Sequence, residues 1–336
     1  MLSLLSLLLA ILPAHCSYYY TQGQDWNGTC QNGINQSPVD ISTGSFPDTP
    51  YTEKILLSKD NIVQGRYQLN PHLDFYAEYT VLAARTVEFT NANVVVDLGN
   101  GGGSLVFMSE NEDVKIYEAL QMHFHSPAEH TFDGESRHYD LELHIVHRRY
   151  NVLDSEVTRL QNATGNTTEV DESHNKLLAV LAIFFDVEKG GNVTNEFIED
   201  LNLKNLSGNV THMKTQTLPE LKVHLNKIIS NFNKEKLYHY DGSLTTPPCS
   251  QTVAWLVVDD PQPITREQLK VFQEYWQNNQ NFSGGNGNNR KTQPVGDRVI
   301  YKHANHDKWE HTVYLQGYSL RASGCLIMTL ILSLLF

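Results

Sequence analysis

Positive charge is scarce in this chain of 336 residues: 25 Lys and Arg stand against 38 Asp and Glu, a net charge of −13. Nucleic-acid binding wants a basic stripe, so that class is excluded, and the acidic balance speaks of solubility more than of fold. A phosphate loop is also missing. The glycine-rich patches at 100–103 and 283–287 are not followed by Lys-Ser/Thr, and both read as turns. No Gly-X-Ser-X-Gly elbow occurs, which disfavours a serine hydrolase. No apolar run reaches the roughly 20 residues needed to cross a bilayer as a helix. No repeat or linker divides the chain, and cysteine is limited to Cys16, Cys30, Cys249 and Cys325.

The apolar runs that do occur lie at the two ends. One extends from Met1 to Pro13, and Ala14-His-Cys16 then supplies small residues at the −3 and −1 positions of a cleavage site. Residues 1–16 therefore read as a secretory signal peptide, although no Lys or Arg precedes the run; the alternative is a buried N-terminal helix. The other run, from Cys325 to Phe336, follows the small residues Gly317, Ser319, Ala322, Ser323 and Gly324. Residues 317–336 read as a GPI-type lipid-anchor signal, the alternative being a C-terminal strand. Removing both ends leaves one cysteine pair, Cys30 and Cys249, as an oxidised secreted domain with a single disulfide bond would have. Asn27, Asn35, Asn162, Asn166, Asn192, Asn205, Asn209 and Asn281 each begin a glycosylation sequon. The expectation is a glycoprotein domain over 17–316, secreted or anchored at the extracellular face of the cell membrane.

Strand-like segments dominate that domain. Candidates are 86–98, 105–108, 117–125, 139–147, 177–186 and 252–258. The stretch 177–185 is continuously apolar, as a strand buried on both faces would be. Helical spacing is confined to 194–201, 218–229 and 265–276, the last with an N-cap at Thr265. The fold class expected is α+β: a single domain around a large, mostly antiparallel, twisted central sheet with short peripheral helices.

Two alternating blocks carry the chemistry, Gln121-Met-His123-Phe-His125 and Glu142-Leu-His144-Ile-Val-His147. On a strand, positions i and i+2 share a face, so His123 and His125 project together and a neighbouring strand can add His144. Three neutral imidazoles suit Zn²⁺ and leave a fourth tetrahedral position open, which is the arrangement of a catalytic site. Gln121 and Glu142 alternate with the histidines and are candidates for the oxygen that receives each ring's other N–H. His147 is three residues past His144 and faces away. Far along the chain, Tyr240-Asp-Gly-Ser-Leu-Thr245-Thr246-Pro247-Pro248-Cys249 reads either as an extended, rigid loop that could present a hydroxyl to a metal site, or as a simple turn.

Taken together these motifs resemble the α-class carbonic anhydrases over about 30–300. Gln36-Ser37-Pro38-Val39-Asp40-Ile41, Glu129-His-Thr131, Leu178-Ala-Val-Leu-Ala-Ile-Phe184, Trp255 and Asn289-Arg-Lys-Thr-Gln-Pro294 join the blocks above in the family's order. A cysteine after the Thr-Thr-Pro-Pro run, paired with one upstream of Gln-Ser-Pro, is similar to the secreted and membrane-anchored branch. The resemblance implies reversible hydration of carbon dioxide to bicarbonate and a proton, with a zinc-bound hydroxide as nucleophile. It implies zinc on His123, His125 and His144, and Gln121 and Glu142 behind them. Thr245 would orient the hydroxide with Glu129 fixing its hydroxyl proton, and Thr246 would shape the substrate site. Val146, Val180, Leu244, Val253 and Trp255 would form the apolar wall that receives CO₂. Tyr20 would match a tyrosine at the cavity mouth. The fastest relatives carry a histidine there to relay protons; the corresponding position is Asn93, which cannot titrate near neutral pH. Ester hydrolysis is an expected side activity. The alternative from another class is a non-catalytic or weakly catalytic cell-surface binding domain, but relatives of that kind lack one or more of the three histidines.

Overall fold

The computed structural model describes residues 22–50, 52–57, 63–80, 82–89, 93–99, 101–108, 114–150, 176–203, 214–230, 232–280, 283–304, 312–315 and 318–321. The signal segment, Tyr20, the sequons at 162, 166, 205, 209 and 281 and the last apolar run lie outside them. In chain order the strands are β1 Asp40–Ile41, β2 Glu53–Leu57, β3 Val63–Asn70, β4 Asp74–Tyr79, β5 Leu82–Phe89, β6 Val94–Asp97, β7 Gly103–Met108, β8 Val114–His125, β9 Thr131–Phe132, β10 Leu141–Arg149, β11 Leu178–Phe185, β12 Lys214–Val223, β13 Leu237–Gly242, β14 Val253–Gln262 and β15 Val299–His303, followed by the ribbon β16 Thr312–Leu315 and β17 Tyr318–Arg321. The helices are α1 Thr29–Asn32, α2 Glu196–Asp200, α3 Asn226–Ile229 and α4 Arg266–Tyr275. No described helix is long and apolar enough to cross a membrane.

One large sheet organises the molecule. Its order is β12-β5-β6-β8-β10-β11-β14-β13-β15-β3-β2, with β7 also pairing β8 and β4 pairing β7. Every pair in it is antiparallel except β11 with β14 and β15 with β3. The expected α+β fold with a mostly antiparallel sheet is therefore the observed one. β11 sits near the centre, and all eight of its residues are buried, which is why it reads as an unbroken apolar run.

Alternation on β8 and β10 divides two chemistries between the faces. Met122, Phe124, Leu141, Leu143 and Ile145 join one apolar core with Leu269 and Phe272 of α4. Their neighbours Gln121, His123, His125, Glu142 and His144 turn to the other face, where Val146, Val180, Val253 and Trp255 form the second core. α4 begins where the sequence places it: the Thr265 side chain accepts from Gln268 N, and Gln268 answers the cap in return. α2 lies within the expected 194–201.

Two expectations need correction. The segment 218–229 is not a helix. β12 runs to Val223 and pairs antiparallel with β5, with a register irregularity between Leu218 and Lys222, and only α3 is helical. Pro219 falls inside that irregularity, and β12 ends the sheet order, two settings that tolerate a missing N–H. Pairing with β5 outweighs the local helical spacing. The segment 86–98 is likewise two antiparallel strands, β5 and β6, with Phe89 opposite Val94.

Cys30 and Cys249 are joined in a disulfide that closes 219 residues. In the chain-entropy model such a closure stabilises by about 5 kcal/mol.

His147 is buried on the face away from the histidine cluster, with Nε2 at 2.7 Å from the Tyr79 hydroxyl and Nδ1 at 3.2 Å from the Ala179 carbonyl. Burial pulls it down to about 4 from 6.5. A histidine depressed in the folded state stabilises fully above its unfolded value and loses that contribution as pH falls from about 6.5 toward 4. Wild type is expected to lose on the order of 3 kcal/mol more stability across that window than a His147→Gln variant, read from urea midpoints at stepped pH. Parallel pH profiles for the two proteins would refute this.

Candidate active site

Adjacent strands bring the three histidines together. His123 and His144 are direct cross-strand partners, as are His125 and Glu142. The ring centroids stand 5.1, 5.1 and 4.7 Å apart for the pairs 123–125, 123–144 and 125–144. Each ring uses one nitrogen outward and turns the other inward. His123 Nδ1 meets Gln121 Oε1 at 2.9 Å, His125 Nδ1 donates to the Asn288 carbonyl at 3.0 Å, and His144 Nε2 donates to Glu142 Oε1 at 2.7 Å. The inward atoms are then His123 Nε2, His125 Nε2 and His144 Nδ1. The ligand atoms of the three residues lie within 4.8 Å of one another, and His144 Nδ1 is 3.3 Å from His123 Nε2.

The donor set fits a dication. His125 Nε2 is buried with no hydrogen-bond partner, an orphan atom aimed into the cluster. Burial, then the neighbouring imidazoles, hold His123 well below its ordinary value and His125 down to about 3. Burial also lowers His144 against the pull of Glu142. All three rings are thus neutral at physiological pH, the form that ligates metal. His130, Glu142 and His144 form a second close group. There Glu142 is spoken for, so that group is a support for the first.

Glu142 is the hub of that support. It is fully buried, and burial alone would raise its carboxyl, but His130 and His144 hold it well below the usual range. Oε2 accepts from the backbone N–H of Glu129 at 2.6 Å and of His130 at 2.8 Å, and Oε1 accepts from His130 Nδ1 at 2.7 Å as well as from His144. His130 Nε2 continues to the Tyr240 hydroxyl at 2.7 Å, and Tyr240 donates to Ser37 Oγ at 2.9 Å. Gly242 lies against Ser37 Oγ, where a side chain would collide. Sequence reading named Gln121 and Glu142 but missed His130, Tyr240, Ser37 and the Asn288 carbonyl. The first three sit inside motifs already noted; the last is a backbone atom, and no residue type announces it.

The Thr245 loop is a turn more than an extended run. Its chain bends at Thr245–Thr246 and turns at Pro247–Pro248, with Cys249 N donating to Thr246 O at 2.9 Å. Glu129 stands behind it, its Oε1 accepting from Arg290 N at 2.7 Å. Burial, then Glu142, pushes the Glu129 carboxyl well above its ordinary value, while the Thr245 hydroxyl and Arg290 hold it down. Its Oε2 has no partner within hydrogen-bond distance, and Thr245 is the hydroxyl whose interaction lowers the carboxyl.

An apolar wall adjoins the histidines. Val146 pairs with Val180, Val180 with Trp255, and Leu178 with Val253. Leu244 packs on the same core, and the Trp255 ring is 4.8 Å from His144. Thr246 is half-exposed beside it. Asn93 is buried and already engaged: its Oδ1 accepts from Val94 N at 2.9 Å and from Phe124 N at 3.2 Å.

The family profile described as eukaryotic-type carbonic anhydrase matches residues 21–304. The chain belongs to the eukaryotic-type carbonic anhydrase family. It is 31% identical over 272 residues to alpha carbonic anhydrase 7 of Arabidopsis thaliana, covering 81% of this chain and 75% of the relative. It is 27% identical over 310 residues to carbonic anhydrase 4 of Rattus norvegicus, covering 89% and 91%. Among solved structures it is similar to the alpha-carbonic anhydrase of Thermovibrio ammonificans in complex with sulfanilamide, at 27% identity and a TM-score of 0.53, covering 82% of this chain and 89% of that one. As a carbonic anhydrase the protein is an enzyme, a lyase acting on a small molecule, and its general reaction is the hydration of carbon dioxide.

Proposed function

We propose that this carbonic anhydrase hydrates CO₂ at a zinc ion held by His123 Nε2, His125 Nε2 and His144 Nδ1. The observation that carries the reading is the buried, unpartnered His125 Nε2 within a set of three neutral imidazoles. Held by these three residues, zinc would supply a Lewis acid able to lower the pKa of water to about 7, and so a nucleophile at neutral pH. Gln121, the Asn288 carbonyl and Glu142 fix the three tautomers, each accepting the outward N–H. Thr245 would orient the nucleophile: with Glu129 accepting the Thr245 hydroxyl proton, the Thr245 oxygen would be left to accept from the nucleophile's O–H. Val146, Val180, Leu244, Val253 and Trp255 receive apolar CO₂ and keep competing water away, and Thr246 borders the product site. Ester cleavage by the same nucleophile follows as a side reaction. Stopped-flow CO₂ hydration with parallel zinc assay tests the reading. Activity that survives complete chelation of the metal would end it.

Each turnover must also deliver a proton to solvent. Asn93 cannot carry it, because amides do not titrate near neutrality and its oxygen is committed to Phe124 N–H. Proton transfer is therefore expected to limit kcat, and raising imidazole buffer from a few to about 50 mM should raise kcat several-fold while kcat/KM stays constant. A kcat indifferent to buffer would show another relay at work.

For processing, the reading is that a signal peptide ends near residue 16, the chain is anchored through a glycolipid near 317, and the product acts outside the cell. Exposed Asn27 and Asn192 are the described sequons open to glycan attachment, whereas Asn35 is half-buried with its N–H bonded to Gln251. Peptide mapping of the protein purified from membranes would find glycans at 27 and 192 and a lipid-bearing C-terminal peptide; unmodified peptides would refute each in turn.

A further inference from the structure

Arg290 is a cation placed where a cation is costly. The residue is 1% exposed, and the hydrogen bonds of its guanidinium among the described residues go to no carboxylate. Burial pulls it down to about 10. Its partners are neutral oxygens: Nη1 donates to Gln36 Oε1 at 2.9 Å and to the Ser37 carbonyl at 2.7 Å, and Nη2 donates to the Cys30 carbonyl at 2.6 Å. A buried charge with no carboxylate in direct contact, balanced only at longer range by Glu129, is retained at a stability cost, which turns attention to what it holds in place.

What it holds is both ends of the Thr245–Glu129 pair. The Arg290 N–H grips Glu129 Oε1 at 2.7 Å, while its guanidinium fixes Gln36. Gln36 then reaches across with Nε2 to the Cys249 carbonyl at 3.1 Å, four residues beyond Thr245. Cys249 N in turn closes on Thr246 O at 2.9 Å. The route Glu129–Arg290–Gln36–Cys249–Thr246 is a ring with one remaining gap, between Thr245 and Glu129. We infer that Gln36 and Arg290 are positioning residues that set the separation of the Thr245 hydroxyl from the Glu129 carboxylate, and hence the aim of the nucleophile. The inference rests on the proposed role of Thr245. It concerns kcat and not metal affinity, since neither residue touches a histidine side chain in this structure.

A double-mutant cycle tests it. Gln36→Met keeps the volume and removes both the acceptor for Arg290 and the donor for Cys249. In the zinc-loaded protein it is expected to lower kcat for CO₂ hydration about 10-fold, with KM and zinc occupancy within about twofold of wild type. In a Thr245→Ala background the same change should cost less than about twofold, because the hydroxyl it aims is gone. Equal losses in both backgrounds, or a kcat for Gln36→Met within about twofold of wild type, would overturn the inference. If Gln36→Met does not fold, Gln36→Glu serves: it keeps Arg290 partnered and breaks the contacts from Nε2 to the Cys249 carbonyl and to Gln251 Oε1, with the same expectation. Failure of the zinc-loaded wild type to hydrate CO₂ would instead remove the functional reading beneath.

Discussion

His144→Ala should lower CO₂ hydration by about 10³-fold or more and leave the purified protein with little zinc. On the proposed mechanism zinc would bring the pKa of its water from far above neutrality to about 7, so losing the ion would remove nearly all hydroxide from the site at neutral pH. The same substitution also strips Glu142, fully buried, of one of its donors. Leaving a buried carboxylate short of a partner costs about 1–3 kcal/mol, so the variant should also unfold at lower denaturant. Metal analysis, stopped-flow hydration and a urea titration on one preparation check all three. A variant that kept zinc and activity would remove His144 from the site.

Thr245→Ala separates orientation from metal binding. It should keep zinc and lose about 10²-fold in kcat/KM, the scale of removing one preorganised hydrogen-bonding group. Glu129→Gln should lose a similar factor, and the pair together little more than either alone, because both act on one hydroxyl. The electrostatics add a sign. The folded state raises the Glu129 carboxyl above its ordinary value through burial and then Glu142. A raised carboxyl costs stability once pH exceeds its unfolded value, so ionised Glu129 is a burden on the fold at neutral pH. Glu129→Gln is therefore expected to unfold no more easily than wild type at pH 7 to 8 while being far slower. Marked destabilisation with activity intact would reverse the assignment and make Glu129 a structural residue.

The histidine cluster was legible because its geometry is local. His123 and His125 are two apart on one strand, and period-two alternation places them on one face whatever the rest of the chain does. Gln121 and Glu142 were legible by the same alternation, and each serves the histidine beside it. The strand at 178–185 announced its burial through unbroken apolar residues. Where local spacing and long-range pairing disagreed, sequence reading failed: 218–229 carries helical periodicity, yet its first half belongs to β12, which pairs with β5.

What the linear chain determined by itself was the donor set, the parity of each site residue on its strand, the N-cap of α4 at Thr265 and the single cysteine pair left once the ends are set aside. Tertiary structure alone decided which strands lie beside which, and so that His144 stands opposite His123. It also supplied the Asn288 carbonyl for His125, and the path from Arg290 through Gln36 to the Thr245 loop. The division has a physical reason. Side-chain type and strand parity are written within a few residues, whereas a backbone carbonyl or a contact across more than 200 positions exists only after the sheet has closed around it.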